Sequence, residues 1–283
     1  MKINQMITHL SLIALMLIFT LPATGETFCV PGVVSPVVEE EEVYRGLPFT
    51  PGERAEYAVS YMGLSAGRAH LEVRPPILKD GVWHRLYAAE AHTGKWYRMI
   101  FVGHDSILAY SHSVSGMASH FILDQDEGKL LGSRLHKHTE IHFDHQKCIA
   151  MGTVDERGKT KKNEQFEINS GVMDTLSATF QIRAFNYQPG AALRLPVYSS
   201  GKSWWLRVEM LGEEKIEVPA GVFSTIKLRL HTYLGDALQQ KGDLLAWLAL
   251  DRSERPIVQV KAEVRIGSLQ LELVRFQPGK GVE

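Results

Sequence analysis

The chain has 283 residues, 45% of them hydrophobic, with 31 Lys and Arg against 32 Asp and Glu and a formal net charge of -1. Such a balance excludes a basic field for nucleic acid and a polybasic patch for anionic lipid headgroups. Beyond the N-terminus no segment is long and apolar enough to span a bilayer as a helix.

Residues 1–25 combine Lys2, an apolar run from Leu10 to Leu21 and the small-residue triplet Ala23, Thr24, Gly25. That is the pattern of a secretory signal peptide, with cleavage expected after Gly25 and a periplasmic or envelope destination. A membrane anchor needs about 20 apolar residues, and His9 and Pro22 bracket a shorter run. Leu21 to Gly25 spells LPATG, a wall-sorting pentapeptide, at the wrong end of the chain for that signal. Phe28 stands before Cys29 where lipidation needs a small residue.

From Glu26 to Arg45 the chain carries Pro31, Pro36 and the acidic run Glu39 to Glu42 without periodicity, and reads as a disordered acidic tether over 26–45. Cys29 and Cys148 are the only cysteines, and export would place both in an oxidising compartment. A bridge between them would close a long loop, worth up to about 4.7 kcal/mol in the chain-entropy model. Two free cysteines, one of them in the tether, are the simpler expectation.

Residues 46–278 read as a single β-rich domain, followed by a tail over 279–283. Tyr57, Val59 and Tyr61 alternate on one strand, and Ala69, Leu71 and Val73 on a second, with a hairpin turn expected across Gly63 to Gly67. The pattern recurs at Trp204 to Met210, at Phe223 to His231 beyond the turn Pro219, Ala220, Gly221, at Leu244 to Leu250, at Ile257 to Val264 and at Leu269 to Val274. A meander of short strands points to an antiparallel barrel or sandwich. One segment departs from it: Val172, Met173, Leu176 and Phe180 recur at helical spacing, Ser170 can cap the start, and Gln188, Pro189 and Gly190 stop the run. The spacing predicts one amphipathic helix over about 172–187.

Several stretches carry a resemblance to a known family: PGE with the following Tyr57, the Gly63 and Gly67 turn, the helix start with Asp174 and Ser177, and the VPAGVF turn around Pro219 to Phe223. Over most of the chain beyond Pro48 the sequence resembles the bacterial envelope proteins of domain of unknown function 3108. The resemblance implies an exported β-rich domain and supplies no catalytic residues. The His-rich stretch from Phe101 to Cys148 matches only loosely.

Gly63, Leu64, Ser65, Ala66 and Gly67 fit the G-x-S-x-G nucleophile elbow, but that motif needs a helix after the turn, and here a strand follows. Gly201, Lys202 and Ser203 resemble the end of a phosphate loop, yet Pro196 holds the place of the upstream glycine. His136, His138, Glu140 and His142 alternate, so one strand face would present all four as a possible transition-metal set. Neighbours at i and i+2 lie nearly 7 Å apart, so His112 or His120 on an adjacent strand would have to complete a site; otherwise these side chains form a wet face opposite Leu135, Ile141 and Phe143. Arg183 is expected to tie the helix end to a neighbouring strand, and Asp174 to sit at the helix start.

The fold expected is therefore all-β and mainly antiparallel, a strongly curved sheet or half-open barrel packed on one amphipathic helix. The function expected is a non-enzymatic exported protein that binds or carries a hydrophobic small molecule or lipid in the concave face, with Leu176, Phe180, Tyr57 and Tyr61 as contacts. An envelope-assembly protein docking a protein partner is the alternative, and a cryptic hydrolase or metal-binding protein the third. No cofactor and no nucleic-acid partner are expected.

Overall fold

The structure is a computed structural model that describes residues 38–94, 102–128, 134–156, 159–188, 190–234, 237–238, 242–263 and 267–280. The expected leader and the first part of the expected tether, up to residue 37, lie outside the described residues.

The first half of the chain is an uninterrupted antiparallel meander. Its strands are β1 (Arg54–Tyr61), β2 (Leu64–Lys79), β3 (Val82–Thr93), β4 (Val102–His112), β5 (Ala118–Gly128), β6 (Arg134–Asp144), β7 (Ile149–Glu156) and β8 (Lys159–Glu167). Alternation decides which face each residue takes: in β1, Ala55, Tyr57 and Val59 are buried and their neighbours are not. The β1–β2 turn is tighter than expected. It consists of Met62 and Gly63, both at positive φ, the two-residue geometry that matches strand twist. Gly67 and Ser65 therefore lie inside β2, and the same turn chemistry recurs at Asp80–Gly81 and Ser200–Gly201.

The second half contains β9 (Met173–Asp174), α1 (Thr175–Ala184), β10 (Ala192–Ser199), β11 (Lys202–Val218), β12 (Gly221–Leu234), β13 (Ala237–Leu238), β14 (Leu244–Ala249), β15 (Ile257–Glu263) and β16 (Ser268–Gln277). The sheet order is β8-β7-β6-β5-β4-β3-β2-β1-β16-β15-β14-β12-β11-β10-β9, with β13 paired to β12. Pairing of β1 with β16 joins the two halves into one sheet, and among the described residues only the β9–β10 pair is parallel. The sheet curls until its ends approach: Phe166 of β8 and Phe143 of β6 both face Tyr198 of β10, at ring distances of 6.1 and 5.2 Å. Among the described residues no strand ladder joins β8 to β9 or β10, so the barrel stays open.

The helix is shorter than its apolar spacing predicts and starts at a different cap. Asp174, not Ser170, is the N-cap, and its carboxylate accepts from the backbone N–H of Leu176 and Ser177 at 2.9 and 2.8 Å. At the other end Phe185 is already extended, and the Tyr187 hydroxyl donates to the orphan carbonyl of Ile182 at 3.1 Å. The helix is enclosed rather than amphipathic. Leu176 and Phe180 pack with Val73, Tyr87 and Ile107 of the first half, while Ala178 and Ile182 pack with Tyr57 of the first half and with Leu206 and Leu228 of the second. A sheet that wraps around a helix buries more than one of its faces.

The expected tether ends earlier than Arg45, because residues 43 and 44 are core. Val43 is fully buried, and its carbonyl accepts from Arg85 Nε at 2.8 Å. Pro75 and Pro76 interrupt the β2–β3 ladder at a register shift between Arg74 and Ile77. There the Tyr44 hydroxyl donates to Arg74 O at 3.0 Å and accepts from Leu86 N at 3.1 Å. Cys148 is buried and disulfide-bonded, against the simpler expectation of a free thiol. The other cysteine of the sequence, Cys29, lies outside the described residues. At the C-terminus Lys280 N donates to Pro51 O at 3.0 Å, so the first part of the expected tail is paired.

Candidate functional site

Between α1 and the concave sheet lies a cavity of about 170 Å³. Its walls come from both halves of the sheet: Tyr57, Ala69, Leu71, Ala89 and Ala91 on one side, and Trp204, Leu206, Leu230, Ala246 and Leu248 on the other. The helix contributes Thr175, Ala178, Thr179 and Ile182. The space exists because inward positions hold small residues. Ala69 stands directly opposite Ala91, and Leu71 opposite Ala89, so adjacent strands present short side chains to the same volume. His70 and Glu90 also border it, but alternation turns their side chains to the outer face, where they approach within 3.8 Å.

Of the four residues expected to contact a ligand, the structure brings one to this space. Tyr57 lines it, with its hydroxyl donating to Ile257 O at 3.0 Å. Leu176 and Phe180 lie on the opposite side of the helix, in the filled core. Tyr61 is half-buried near the turn end of β1 and is not a wall residue. The helical spacing that singled out Leu176 and Phe180 marks the better-filled face; the alanines, which carry no such signal, mark the hollow.

Polar contacts hold the helix in place over this hollow. Arg183 donates from Nη1 and Nη2 to the two carboxylate oxygens of Glu53 at 2.7 and 3.0 Å, with both side chains 3% exposed. It also donates to Glu254 O and Arg255 O at 2.7 and 3.1 Å, and its guanidinium lies 5.2 Å from the Phe49 and Phe180 rings. The expected tie between helix end and sheet is thus a buried bidentate pair. Burial raises the Glu53 carboxyl above its ordinary value, although the Arg183 charge pulls it back. At the helix start burial pushes Asp174 up to about 6, against the hydrogen bonds from Ser177 and Leu176.

The outer face of β3 to β6 collects histidines. The expected set of His136, His138, Glu140 and His142 does share that face, but cross-strand pairing divides it. His136 meets Asp126 at 3.3 Å and His138 meets Asp124 at 2.6 Å. Glu140 lies 2.7 Å from His120 and 3.2 Å from His142. A second group sets His112 between His84, tilted at a ring distance of 5.1 Å, and His145, edge-on at 6.0 Å.

Burial, with a smaller push from the neighbouring His84 and His145, pulls His112 down to about 4. An unfolded histidine titrates near ~6.5, so between those values the unfolded chain binds the proton that the folded chain refuses. The stability that depends on a neutral His112 is complete above pH ~6.5 and is lost as pH falls toward 4. Thermal unfolding should therefore show a midpoint that drops on acidification from pH 7 to 4.5, with a shallower drop in His112→Gln. Equal slopes for the two proteins would contradict this assignment.

A family model described as protein of unknown function, DUF3108, matches residues 56–274. The chain belongs to DUF3108. No curated protein matches its sequence. Among solved structures, the DUF3108 chain is similar to a β-barrel-like protein of domain of unknown function DUF1849 from Brucella abortus, with a TM-score of 0.54 at 6% identity, covering 80% of this chain and 97% of that one. It also aligns with a chain of YmcC-like fold from Bacteroides fragilis, with a TM-score of 0.33 at 8% identity, covering 82% and 98%. The first likeness concerns the fold alone.

The hydrolase and phosphate-loop motifs of this DUF3108 protein resolve into strand and turn. Ser65 is exposed within β2, with no helix after it. Gly201 completes the β10–β11 hairpin at a φ of 77°, and a Cβ there would come within 2.8 Å of the Phe166 ring. Among the described residues no helix is long and apolar enough to cross a membrane.

Proposed function

We propose that this DUF3108 protein is an exported, non-enzymatic envelope protein that holds an apolar ligand against α1. The observation that carries this reading is the cavity of about 170 Å³ beside an otherwise well-filled core. Protein interiors pack to crystal density with few voids larger than a water. An apolar cavity of ~150 Å³ stays dry and accepts a benzene-sized body; the ligand here is a ring or a stretch of acyl chain of that bulk. Export is supported by Lys2, the Leu10 to Leu21 run and the Ala23 to Gly25 triplet. The disulfide at Cys148 fits an oxidising compartment.

Binding of cis-parinaric acid, a fluorescent fatty acid, tests the reading. Ala91→Leu places three more carbon atoms in the cavity, so probe affinity should fall at least about tenfold while the unfolding midpoint holds or rises, as cavity filling does. A wild-type protein that leaves the probe in solution, or a variant that binds it equally well, would remove the proposal.

A further inference from the structure

The geometry points to a second site on the outer face of the sheet: we propose that His120, Glu140 and His142 bind one divalent first-row transition-metal ion, with Zn²⁺ as its representative. His120 of β5 stands directly opposite His142 of β6 in the ladder. Their rings stack at 4.2 Å with an interplanar angle of 9°. Glu140 shares the face of His142, and one carboxylate oxygen lies 2.7 Å from His120 Nε2 and 3.2 Å from His142 Nε2. All three donor atoms fall within 4.8 Å of one another.

Zinc holds nitrogen and carboxylate oxygen at about 2.0–2.2 Å in a tetrahedron, which sets donor atoms roughly 3.3 Å apart. The present spacing brackets that value, so side-chain shifts of under about 1 Å would close the site. Glu140 and His142, at i and i+2 on β6, supply two donors whose side chains converge to 3.2 Å. Side chains facing each other across a ladder start about 5 Å apart, and here the second imidazole comes from the neighbouring strand.

The donor set selects the class of ion. Two imidazoles and one carboxylate suit zinc, nickel or copper; magnesium and calcium prefer all-oxygen shells. His120 is 7% exposed and stacks on Tyr110 at 5.0 Å, so one ligand is already ordered. His142 and Glu140 keep 48% and 37% of their side-chain surface, which leaves access from solvent and a fourth position for water. Among the described residues no other group of three such donors is so close. The neighbouring pairs His136–Asp126 and His138–Asp124 each contribute one imidazole and one carboxylate.

Calorimetric titration of the untagged protein with ZnCl₂ tests the proposal, with MgCl₂ as the counter-probe. One Zn²⁺ per chain should bind and Mg²⁺ should give no saturable heat. Partners that merely orient a ligand are worth about 10- to 100-fold in affinity, so loss of a direct ligand in His142→Ala should weaken Zn²⁺ binding at least about tenfold. His138→Ala, on the same strand and face, should leave it unchanged. Both positions are exposed, and circular dichroism confirms that each variant keeps its fold before titration. Absence of saturable Zn²⁺ binding, an unaltered affinity in His142→Ala, or an equal loss in His138→Ala would each overturn the site.

Discussion

Replacing Arg183 by methionine should destabilise the protein by about 3–5 kcal/mol, because it leaves the Glu53 carboxylate buried without its cation. The two side chains are 3% exposed and joined by two hydrogen bonds, so no solvent is at hand to take over. The same change takes the donor away from the partly buried carbonyls of Glu254 and Arg255, which now accept from the guanidinium, and this adds a smaller loss. Chemical denaturation of the single variants and of Arg183→Met combined with Glu53→Met separates the terms. The double variant should recover part of the loss, since an apolar pair can replace a buried ion pair at little cost. It should not recover all of it, because the two carbonyls stay unpaired. A single-variant loss below about 1 kcal/mol, the value of a surface pair, would contradict the buried role.

Truncating Phe180 to alanine should cost about 3–5 kcal/mol as a core cavity. Its ring is 1% exposed, stacks on Tyr87 at 4.2 Å and 12°, and meets Phe49 edge-on at 5.1 Å. Urea unfolding of the variant measures the loss. The placement of Phe180 away from the apolar cavity adds a second expectation: at temperatures where the variant remains folded, its affinity for cis-parinaric acid should stay within about threefold of wild type, the scatter of such context effects. A marginal stability loss, or a collapse of probe binding in the folded variant, would show that the ring serves the cavity instead.

The strands flanking Tyr57 and Leu71 were legible because hydrophobic alternation is a local property, repeated every second residue. So was the helix, whose existence follows from the spacing of Leu176 and Phe180. Its start was less accessible, because Ser170 and Asp174 are both competent caps and only the β9–β10 pairing places Asp174 at the boundary. Burial of Val43 and Tyr44 was hidden for a related reason: Pro31, Pro36 and four glutamates suggest solvated chain, while the partners that bury the segment, Arg85 and the Pro75–Pro76 gap, lie more than thirty residues away. The candidate sites depend on register, which a single sequence does not display. Ala69 opposite Ala91 makes a hollow, and His120 opposite His142 brings two imidazoles together. Each of these residues taken alone reads as an ordinary strand position.

Native mass spectrometry of the untagged protein, isolated gently from the envelope of the cells that make it, would reveal whether the cavity beside α1 holds a ligand. The expected spectrum shows an adduct of one small hydrophobic molecule per chain, released on unfolding and missing from Ala91→Leu isolated in the same way. A wild-type protein that flies at its bare mass, and that gains no adduct after exposure to its own membrane lipids, would contradict it.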